Sequence, residues 1–434
     1  MKQVCILTNF SSNDSAYSLN RVVQDQIKML VKHDYKPIVI VAESPVWSSP
    51  PENYGLEGVT IKQIPNVPVS NEVKSDETFD QDIASLKIAI GEALKGVDVV
   101  LTHDIVYQPA ALKHNIAVRK IAKENPQMRW LHWIHSATSP YTLINLRQFF
   151  KDEYASVLQD KFPNSFYIFF NDYSIPRVAQ NFNVMLEDVK TVHHPTDICR
   201  FFRFDKEVEE VVDKFNILDA DAICVYPARL DRGKQVQYAI EIMAALKKLG
   251  RSVCMIVVDF HSTGGDKVTY RDEMKKWAID WGLGPQDLLW TSELREDWSY
   301  EVPQDVVSQF MTLQNVMLMP SRSESYSLIT QEAALSFSIG VLNFDFPPFR
   351  DIFGKGPYYE KFSSNLDALT GLDGETTTGY TNEFDFMTDI ARKINYELTY
   401  NRILMWNIAL RKTRNLSYIF RKELEPLINY EETK

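Results

Sequence analysis

Short apolar runs and longer amphipathic stretches alternate along the chain. The runs KQVCILTNF and KPIVIVAE predict buried strands. The stretch between them predicts a helix, because its apolar residues recur with helical spacing at Leu19, Val22, Val23, Ile27, Leu30 and Val31. The same order continues through MRWLHWIH to FYIFFND. Such alternation predicts a parallel sheet with helices on both faces.

The alternation breaks at residues 195–221, where charge rises, and a second series begins at AICVYPARL and continues to GVLNFDF. We therefore predict two α/β domains, 1–200 and 201–434, each a doubly wound Rossmann-like sheet. The tail from about residue 384 is helical, and we expect these helices to cross back to the N-terminal domain. Two such domains facing each other place ligands in a cleft at the carboxyl ends of their strands.

Composition narrows the class of protein. The net charge of −11 and the pI of about 5.3 disfavour a broad basic face for nucleic acid or anionic lipid. The four cysteines are far apart and form no CxxC motif, so we expect buried, reduced thiols. No apolar stretch approaches the roughly 20 residues of a membrane span. We predict a cytoplasmic protein without an integral membrane segment.

Charged side chains follow two strands of the second domain. Arg229 and Lys234 come after AICVYPA, at the start of a helix, where two cations and free N–H groups suit a diphosphate. Glu324 and Glu332 follow NVMLMP, and carboxylates suit paired hydroxyls such as those of ribose or a sugar. The alternative for both pairs is ordinary solvated charge near helix ends.

The stretches YPARLDRGKQVQYAIEIMAALKK and MPSRSESYSLITQEAALSFSIGVLNFD resemble the retaining glycosyltransferases of family 4, which have the GT-B fold. That family carries an arginine and a lysine five residues apart, and later two glutamates separated by seven residues. The four charged side chains named above match these positions one by one. HHPTDICRFF also resembles the family's interdomain stretch, with Asp197 and Phe201 at the matching positions.

The resemblance implies a nucleotide-sugar donor, a UDP- or GDP-sugar, with no permanently bound cofactor and no essential metal. Arg229 and Lys234 would neutralise the leaving diphosphate, Glu324 would face the donor sugar, and Glu332 would hold the ribose hydroxyls. The N-terminal domain would bind the acceptor, with His135 near the reacting sugar. The remaining implied donor residues are Ser325, Tyr326, Ser327 and Leu328. From their positions after strands, we also expect Ser12, Asn13 and Asp14 of the first loop, and His103, to contact the acceptor or a phosphate.

The sequence departs from the family at the first loop, FSSNDSAY, which lacks the usual adjacent glycines, and at Ser327, where glycine is usual. Within the same fold, a sugar-nucleotide epimerase and a phosphorylase are alternatives, and a catalytically silent binding protein is a third. We expect a small-molecule, glycan or protein acceptor. A modified DNA base is less favoured because the pI is acidic, and a lipid is less favoured because the first helix is only weakly basic.

Overall fold

The computed structural model describes residues 2–14, 17–67, 78–106, 108–137, 157, 160–230, 232–260, 267–321, 324, 326–344, 346–362 and 383–431. The chain forms two compact units. Unit 1 comprises Met1–Asp197 together with Arg414–Lys434, and unit 2 comprises Ile198–Thr413. The helical tail is thus divided between the units at Thr413.

Unit 1 contains a seven-stranded parallel sheet with the order β3-β2-β1-β4-β5-β6-β7. Its strands are β1 Val4–Leu7, β2 Ile38–Ala42, β3 Thr60–Ile64, β4 Val99–His103, β5 Arg129–Trp133, β6 Ser165–Phe169 and β7 Val189–Thr191. Its main described helices are α1 Ser18–Lys32, α2 Phe79–Ala93, α3 Leu112–Glu124 and α4 Ile175–Phe182. The strand order reverses between β1 and β4, which is where doubly wound sheets bind ligands.

Both faces of the unit 1 sheet are covered. On one face α2, α3 and α4 pack on side chains such as Cys5 and Leu7. On the other face α1 packs beside the C-terminal helical segment, residues 414–431, over side chains such as Val4 and Ile6. Neighbouring strand residues point to opposite faces, so a strand covered on both sides must be apolar throughout.

Unit 2 repeats this plan with a six-stranded parallel sheet of order β10-β9-β8-β11-β12-β13. The strands are β8 Ala222–Arg229, β9 Val253–Phe260, β10 Leu288–Trp290, β11 Val316–Met319, β12 Ile339–Asn343 and β13 Tyr358–Glu360. The helices are α5 Ile198–Phe202, α6 Lys206–Lys214, α7 Val236–Lys248, α8 Lys267–Trp281, α9 Thr291–Leu294, α10 Gln304–Leu313, α11 Leu328–Leu335, α12 Pro347–Phe353, α13 Glu383–Tyr400 and α14 Arg402–Thr413. Two buried clusters, one on each face, form its core.

The prediction of two doubly wound α/β domains is confirmed by these two sheets. The cysteines are buried and unpaired, also as predicted. Among the described residues, no helix is long and apolar enough to cross a membrane.

Candidate active site

In unit 2 the strand order reverses between β8 and β11, and the predicted charged residues lie at the carboxyl ends of these two strands. Arg229 is the last residue of β8. Lys234 closes a short 3-10 turn, Arg232–Lys234, that leads into α7. Glu324 lies between β11 and α11, in the loop where the sequence placed it. The reversal of strand order therefore collects these residues at one edge.

Lys234 and Glu324 form an ion pair across this edge, with the Lys234 ammonium in direct contact with a Glu324 carboxylate oxygen. Their side chains are 24% and 16% exposed, so the pair is partly desolvated but open to a ligand. Tyr226, buried in β8, donates its hydroxyl hydrogen bond to the Lys234 carbonyl oxygen at 2.6 Å. The backbone that carries Lys234 is therefore anchored to the sheet while its ammonium is paired by Glu324.

Arg232 points to a different partner. Its guanidinium lies 2.8 Å from a Glu273 carboxylate oxygen on α8 and 5.1 Å from the centre of the Tyr270 ring. For Arg229 the structure describes the backbone position at the end of β8 and not the side chain.

Two helices at this edge begin with a residue in the left-handed backbone region. Ser327, the N-cap of α11, has φ 64°, and Gln235, the N-cap of α7, has φ 53°. This region favours glycine, because a Cβ atom raises its energy. The glycine that family 4 usually carries at the position of Ser327 therefore has a physical reason. In this chain the Ser327 hydroxyl hydrogen-bonds the Thr330 hydroxyl at 2.8 Å.

Glu332 lies on the second turn of α11 and is half-buried. Its Oε2 atom is shielded from solvent and finds no hydrogen-bond partner among the described residues. Tyr326 and Leu328, at the start of the same helix, are exposed. Ser325 lies outside the described residues.

In unit 1, histidines gather where β4 and β5 end. His103, the last residue of β4, is fully buried, and its Nδ1 atom lies 3.1 Å from His135 Nε2. His103 Nε2 lies 2.8 Å from the Oε1 atom of Gln26 on α1. The His194 ring stacks parallel to His135 at 6.1 Å and on Phe170 at 5.0 Å. The described residues contain no group of three or more histidine, cysteine or acidic side chains arranged to hold a metal ion.

Burial keeps these imidazoles neutral. It holds the pKa of His103 well below its ordinary value, and the neighbouring His135 and His194 add to the effect. Burial, with a smaller effect of His194, lowers the pKa of His135 to about 3. The pKa of His194 is also lowered, by burial and by His193. A neutral imidazole offers one N–H donor and one acceptor nitrogen, which suits hydroxyl groups.

Asp104 follows His103 and is buried in the left-handed backbone region, with φ 59°. The Tyr17 hydroxyl donates to its Oδ2 atom at 3.2 Å. Burial raises the pKa of Asp104 to about 6, although hydrogen bonds from Tyr17 and Gln108 act against the shift. Unit 1 thus places a buried carboxyl group, carried by a residue with a strained backbone, at the edge where its strand order reverses.

The first loop of unit 1 is tied to α1. Gln24 donates to the Asn13 side-chain oxygen at 3.1 Å, and Asn20 donates to the Asp14 carbonyl oxygen at 2.8 Å. Ser12 is exposed. These polar contacts hold the loop in place, although it contains no glycine.

Other aromatic and histidine side chains lie in the core of unit 1. His132 is buried in β5 against Phe162 and hydrogen-bonds Thr102 at 2.8 Å. Trp130 and Trp133 are also buried, and Tyr141 lies outside the described residues. These tryptophans therefore pack in the core.

Asp197, at a position that the family 4 resemblance points to, and His193 both have partners within unit 1. Asp197 is buried in an ion pair of 2.8 Å with Lys28, and His193 pairs with Glu423 at 3.0 Å. Asp221, the end of the DxD string at residues 219–221, precedes β8 and is bound by Lys412 at 2.6 Å and by Ser252. The pairing of Lys28 removes one of the three cations that gave α1 its weak basic character.

Comparison with known proteins gives similarity to solved structures only, since no family model and no curated protein sequence matches the chain. HepE (Alr3699) from Anabaena, in complex with UDP, is 13% identical, with 99% of this chain and 100% of that chain covered and a TM-score of 0.36. Sucrose-phosphate synthase from Thermosynechococcus elongatus is 13% identical, with 96% of each chain covered and a TM-score of 0.34. A trehalose-phosphate synthase from Burkholderia xenovorans is 12% identical, with 99% of each covered and a TM-score of 0.35. Similarity this low leaves the chemistry to be argued from the residues.

Sequence reasoning did not find Tyr226, Gln26 or Asp104. Tyr226 reads as one more apolar residue of a buried strand. Gln26 had a signal: it stands three and four residues from Val23 and Val22, so a polar side chain occupies the apolar stripe of α1. Asp104 had no such signal in the sequence, since its left-handed backbone conformation is visible only in the structure.

Proposed function

We propose that this chain transfers a sugar, with retention of configuration, from a nucleoside-diphosphate sugar to a hydroxyl acceptor. The Lys234–Glu324 pair at the reversal of strand order in unit 2 carries the proposal. The backbone that carries Lys234 is anchored to β8, and Arg229 is the last residue of that strand. The Lys234 ammonium in this position suits a diphosphate leaving group. An ion pair with a purely structural role would not have to lie where the strand order reverses.

The role of Lys234 follows from charge. When a donor binds, its diphosphate competes with Glu324 for the Lys234 ammonium, and charge-assisted contacts to phosphate are strong. As the bond between the sugar C1 and the phosphate oxygen breaks, negative charge grows on the diphosphate. Lys234 and Arg229 stabilise that charge, which is the kind of electrostatic stabilisation that lowers reaction barriers most.

The role of Glu324 follows from the same exchange. Once the ammonium turns to phosphate, the Glu324 carboxylate is free to face the donor sugar, where it stabilises positive charge developing at C1. The acceptor oxygen attacks C1 from the side of the leaving group, and the departing phosphate oxygen takes the acceptor's proton. No protein nucleophile and no bound metal are needed in this scheme.

Glu332 and unit 1 complete the proposal. The shielded Glu332 Oε2 atom, without a partner among the described residues, is suited to accept a hydrogen bond from a ribose hydroxyl. In unit 1, the neutral His135 and the buried Asp104 suit an acceptor with several hydroxyl groups. We therefore favour a polyol, a glycan or a glycosylated molecule as the acceptor.

A panel of UDP-, GDP- and ADP-sugars tests the proposal. We expect one nucleotide to raise the melting temperature and its sugar conjugate to release nucleoside diphosphate when hydroxyl acceptors are supplied. The configuration of the product at C1, read by NMR, tests retention. An enzyme that returns an epimerised donor would indicate the epimerase alternative, and failure of every nucleotide to bind would refute the proposal.

A further inference from the structure

Gln26 connects α1 to the histidines of unit 1. Its Oε1 atom lies 2.8 Å from His103 Nε2, and His103 Nδ1 lies 3.1 Å from His135 Nε2. Gln26 and His103 are both buried, at 2% and 0% exposure, so water does not compete for these contacts. The three side chains form a hydrogen-bonded chain that ends on His135.

The direction of the protons in this chain follows from the chemistry of each group. The Gln26 Oε1 atom only accepts, so His103 Nε2 must carry the proton. A neutral imidazole has a single N–H, so His103 Nδ1 then has a lone pair and accepts from His135 Nε2–H. The Nδ1 atom of His135 is left as an acceptor, and no described residue makes a hydrogen bond to it.

We propose that Gln26 is a positioning residue that fixes the tautomer of His135 through His103, so that His135 presents Nδ1 as the acceptor for a substrate hydroxyl. The role of the substrate hydroxyl rests on the proposed function, whereas the tautomer itself does not. Burial supports the chain, because it keeps both imidazoles neutral and able to donate and accept in turn.

The opposite arrangement uses the same three side chains. If the Gln26 amide were turned over, its NH₂ group would donate to His103 Nε2, and every proton along the chain would reverse. His135 would then carry its proton on Nδ1 and donate to the substrate. In the structure the Gln26 Nε2 atom finds no partner among the described residues. The two arrangements predict different spectra, so they can be distinguished directly.

Long-range ¹⁵N–¹H correlation spectra of the ligand-free full chain, labelled at histidine, read the tautomers. Assignment uses His103→Gln and His135→Gln, each of which removes one set of signals. We expect His103 and His135 to be protonated at Nε2 and unprotonated at Nδ1 at neutral pH. Protonation of His135 at Nδ1 would overturn the proposal, and this result needs no substituted protein.

Three variants test whether Gln26 fixes the tautomers of His103 and His135. Gln26→Met removes the acceptor at similar volume, so we expect mixed tautomers at both histidines. Gln26→Glu keeps an acceptor, so we expect the wild-type tautomers above the ordinary imidazole pKa. Gln24→Met is the matched control, because Gln24 is buried on the same helix but contacts Asn13 instead. Unchanged tautomers in a folded Gln26→Met protein, or reversed ones in Gln26→Glu, would contradict the proposal.

An activity measurement separates positioning from structure. We expect Gln26→Met to lower kcat about 10-fold or more with little change in the KM for the donor, since misplacement of a group that orients the substrate can cost about 10²-fold in rate. Gln26→Glu should restore most of the loss. Equal losses in both variants, with intact tautomers, would indicate a packing role. If no donor is turned over by the wild type, the proposed function fails while the spectra still decide the tautomer.

Discussion

The two sheets share one strand order over six strands, with β7 additional in unit 1, yet their carboxyl edges carry different chemistry. In unit 2 the edge at the reversal of strand order holds a lysine and a glutamate in an ion pair. In unit 1 the corresponding edge holds neutral, stacked histidines and a buried aspartate. Seven of the eight histidines in the sequence belong to unit 1. One edge is suited to a charged group and the other to neutral hydroxyls.

The comparison indicates that sheet topology determines where a ligand binds, whereas the side chains determine which ligand is bound. A doubly wound sheet opens a crevice wherever its strand order reverses, whatever the residues there. Partly exposed opposite charges can exchange partners with a diphosphate, because little structure has to move. Buried neutral imidazoles can match a hydroxyl without the cost of desolvating a charge. Each of the following changes tests one side of this contrast.

The largest effect is expected at Lys234. Lys234→Met removes the ammonium that we assign to the diphosphate, so turnover should fall by about 10²–10³-fold. The fold should survive, because the Tyr226 hydroxyl binds the backbone of residue 234 and not its side chain. Release of nucleoside diphosphate measures the loss, and circular dichroism checks the fold.

Lys247→Met is the matched control for this change. Lys247 lies on α7 and pairs with the Asp287 carboxylate at 2.7 Å, so the same charge is removed from another ion pair of unit 2. We expect near wild-type turnover. Similar losses at both lysines would attribute the effect to net charge and would contradict the assignment of Lys234.

The next effect distinguishes the units by their response to acid. The folded state holds the pKa of six histidines of unit 1 below the ordinary value, chiefly through burial: His33, His103, His114, His132, His135 and His194. The unfolded chain therefore binds more protons below pH 6.5 or so, and stability falls as pH falls. Each such group contributes at most about 1.4 kcal/mol per pH unit. Asp104, with its raised pKa, acts in the opposite direction as pH falls through about 6.

Hydrogen exchange between pH 7 and 5, corrected for the intrinsic exchange rate, measures this response separately in each unit. We expect unit 1 to lose about 2 kcal/mol or more of opening free energy. Unit 2 serves as the internal control, since it contains one histidine, His261, against the seven of unit 1. Parallel losses in both units would mean that the buried histidines do not govern acid stability.

A smaller effect is expected at Glu332, which we assign to donor binding. Glu332→Gln should weaken donor binding about 10-fold, because hydrogen bonds to a charged group contribute about 1.5–3 kcal/mol and the amide retains part of one. Saturating turnover should stay close to that of the wild type. Titration calorimetry with the nucleoside diphosphate measures the affinity, and Glu273→Gln, at the carboxylate that pairs with Arg232, is the control. A fall in kcat with unchanged affinity would reverse the roles that we give to Glu332 and Glu324.

The smallest effect is expected at Ser327. Glycine removes the strain of a left-handed residue but adds freedom to the unfolded chain, and it loses the contact with Thr330. We therefore expect Ser327→Gly to change the free energy of unfolding by less than about 0.5 kcal/mol. Ser327→Val should destabilise by about 1–2 kcal/mol, because a branched Cβ is disfavoured at positive φ. Urea unfolding compares them, and equal stability of both variants would show that the backbone relaxes.

Sequence patterns were sufficient for the fold because each strand and helix repeats a signal over many residues. The apolar run of β8 and the apolar stripe of α1 would each still be recognised if one or two of their residues did not fit the pattern. Positions of single side chains were harder. The loop that carries Glu324 could be placed after β11, but its pairing with Lys234 depends on β8 and β11 being neighbours in the sheet. Gln26 and His103 meet only because α1 packs where β4 ends.

The C-terminal segment has a consequence for how the protein can be divided. Because residues 414–431 complete the core beside α1, where Phe420 stacks on His33 at 4.1 Å, unit 2 is an insertion within unit 1. The points where the chain leaves and re-enters unit 1 are adjacent, since the Thr196 N–H donates to the Arg414 carbonyl at 2.6 Å. A short linker joining residues 197 and 414 would therefore give unit 1 as a single excised polypeptide, whereas truncation after residue 413 would expose part of one face of its sheet.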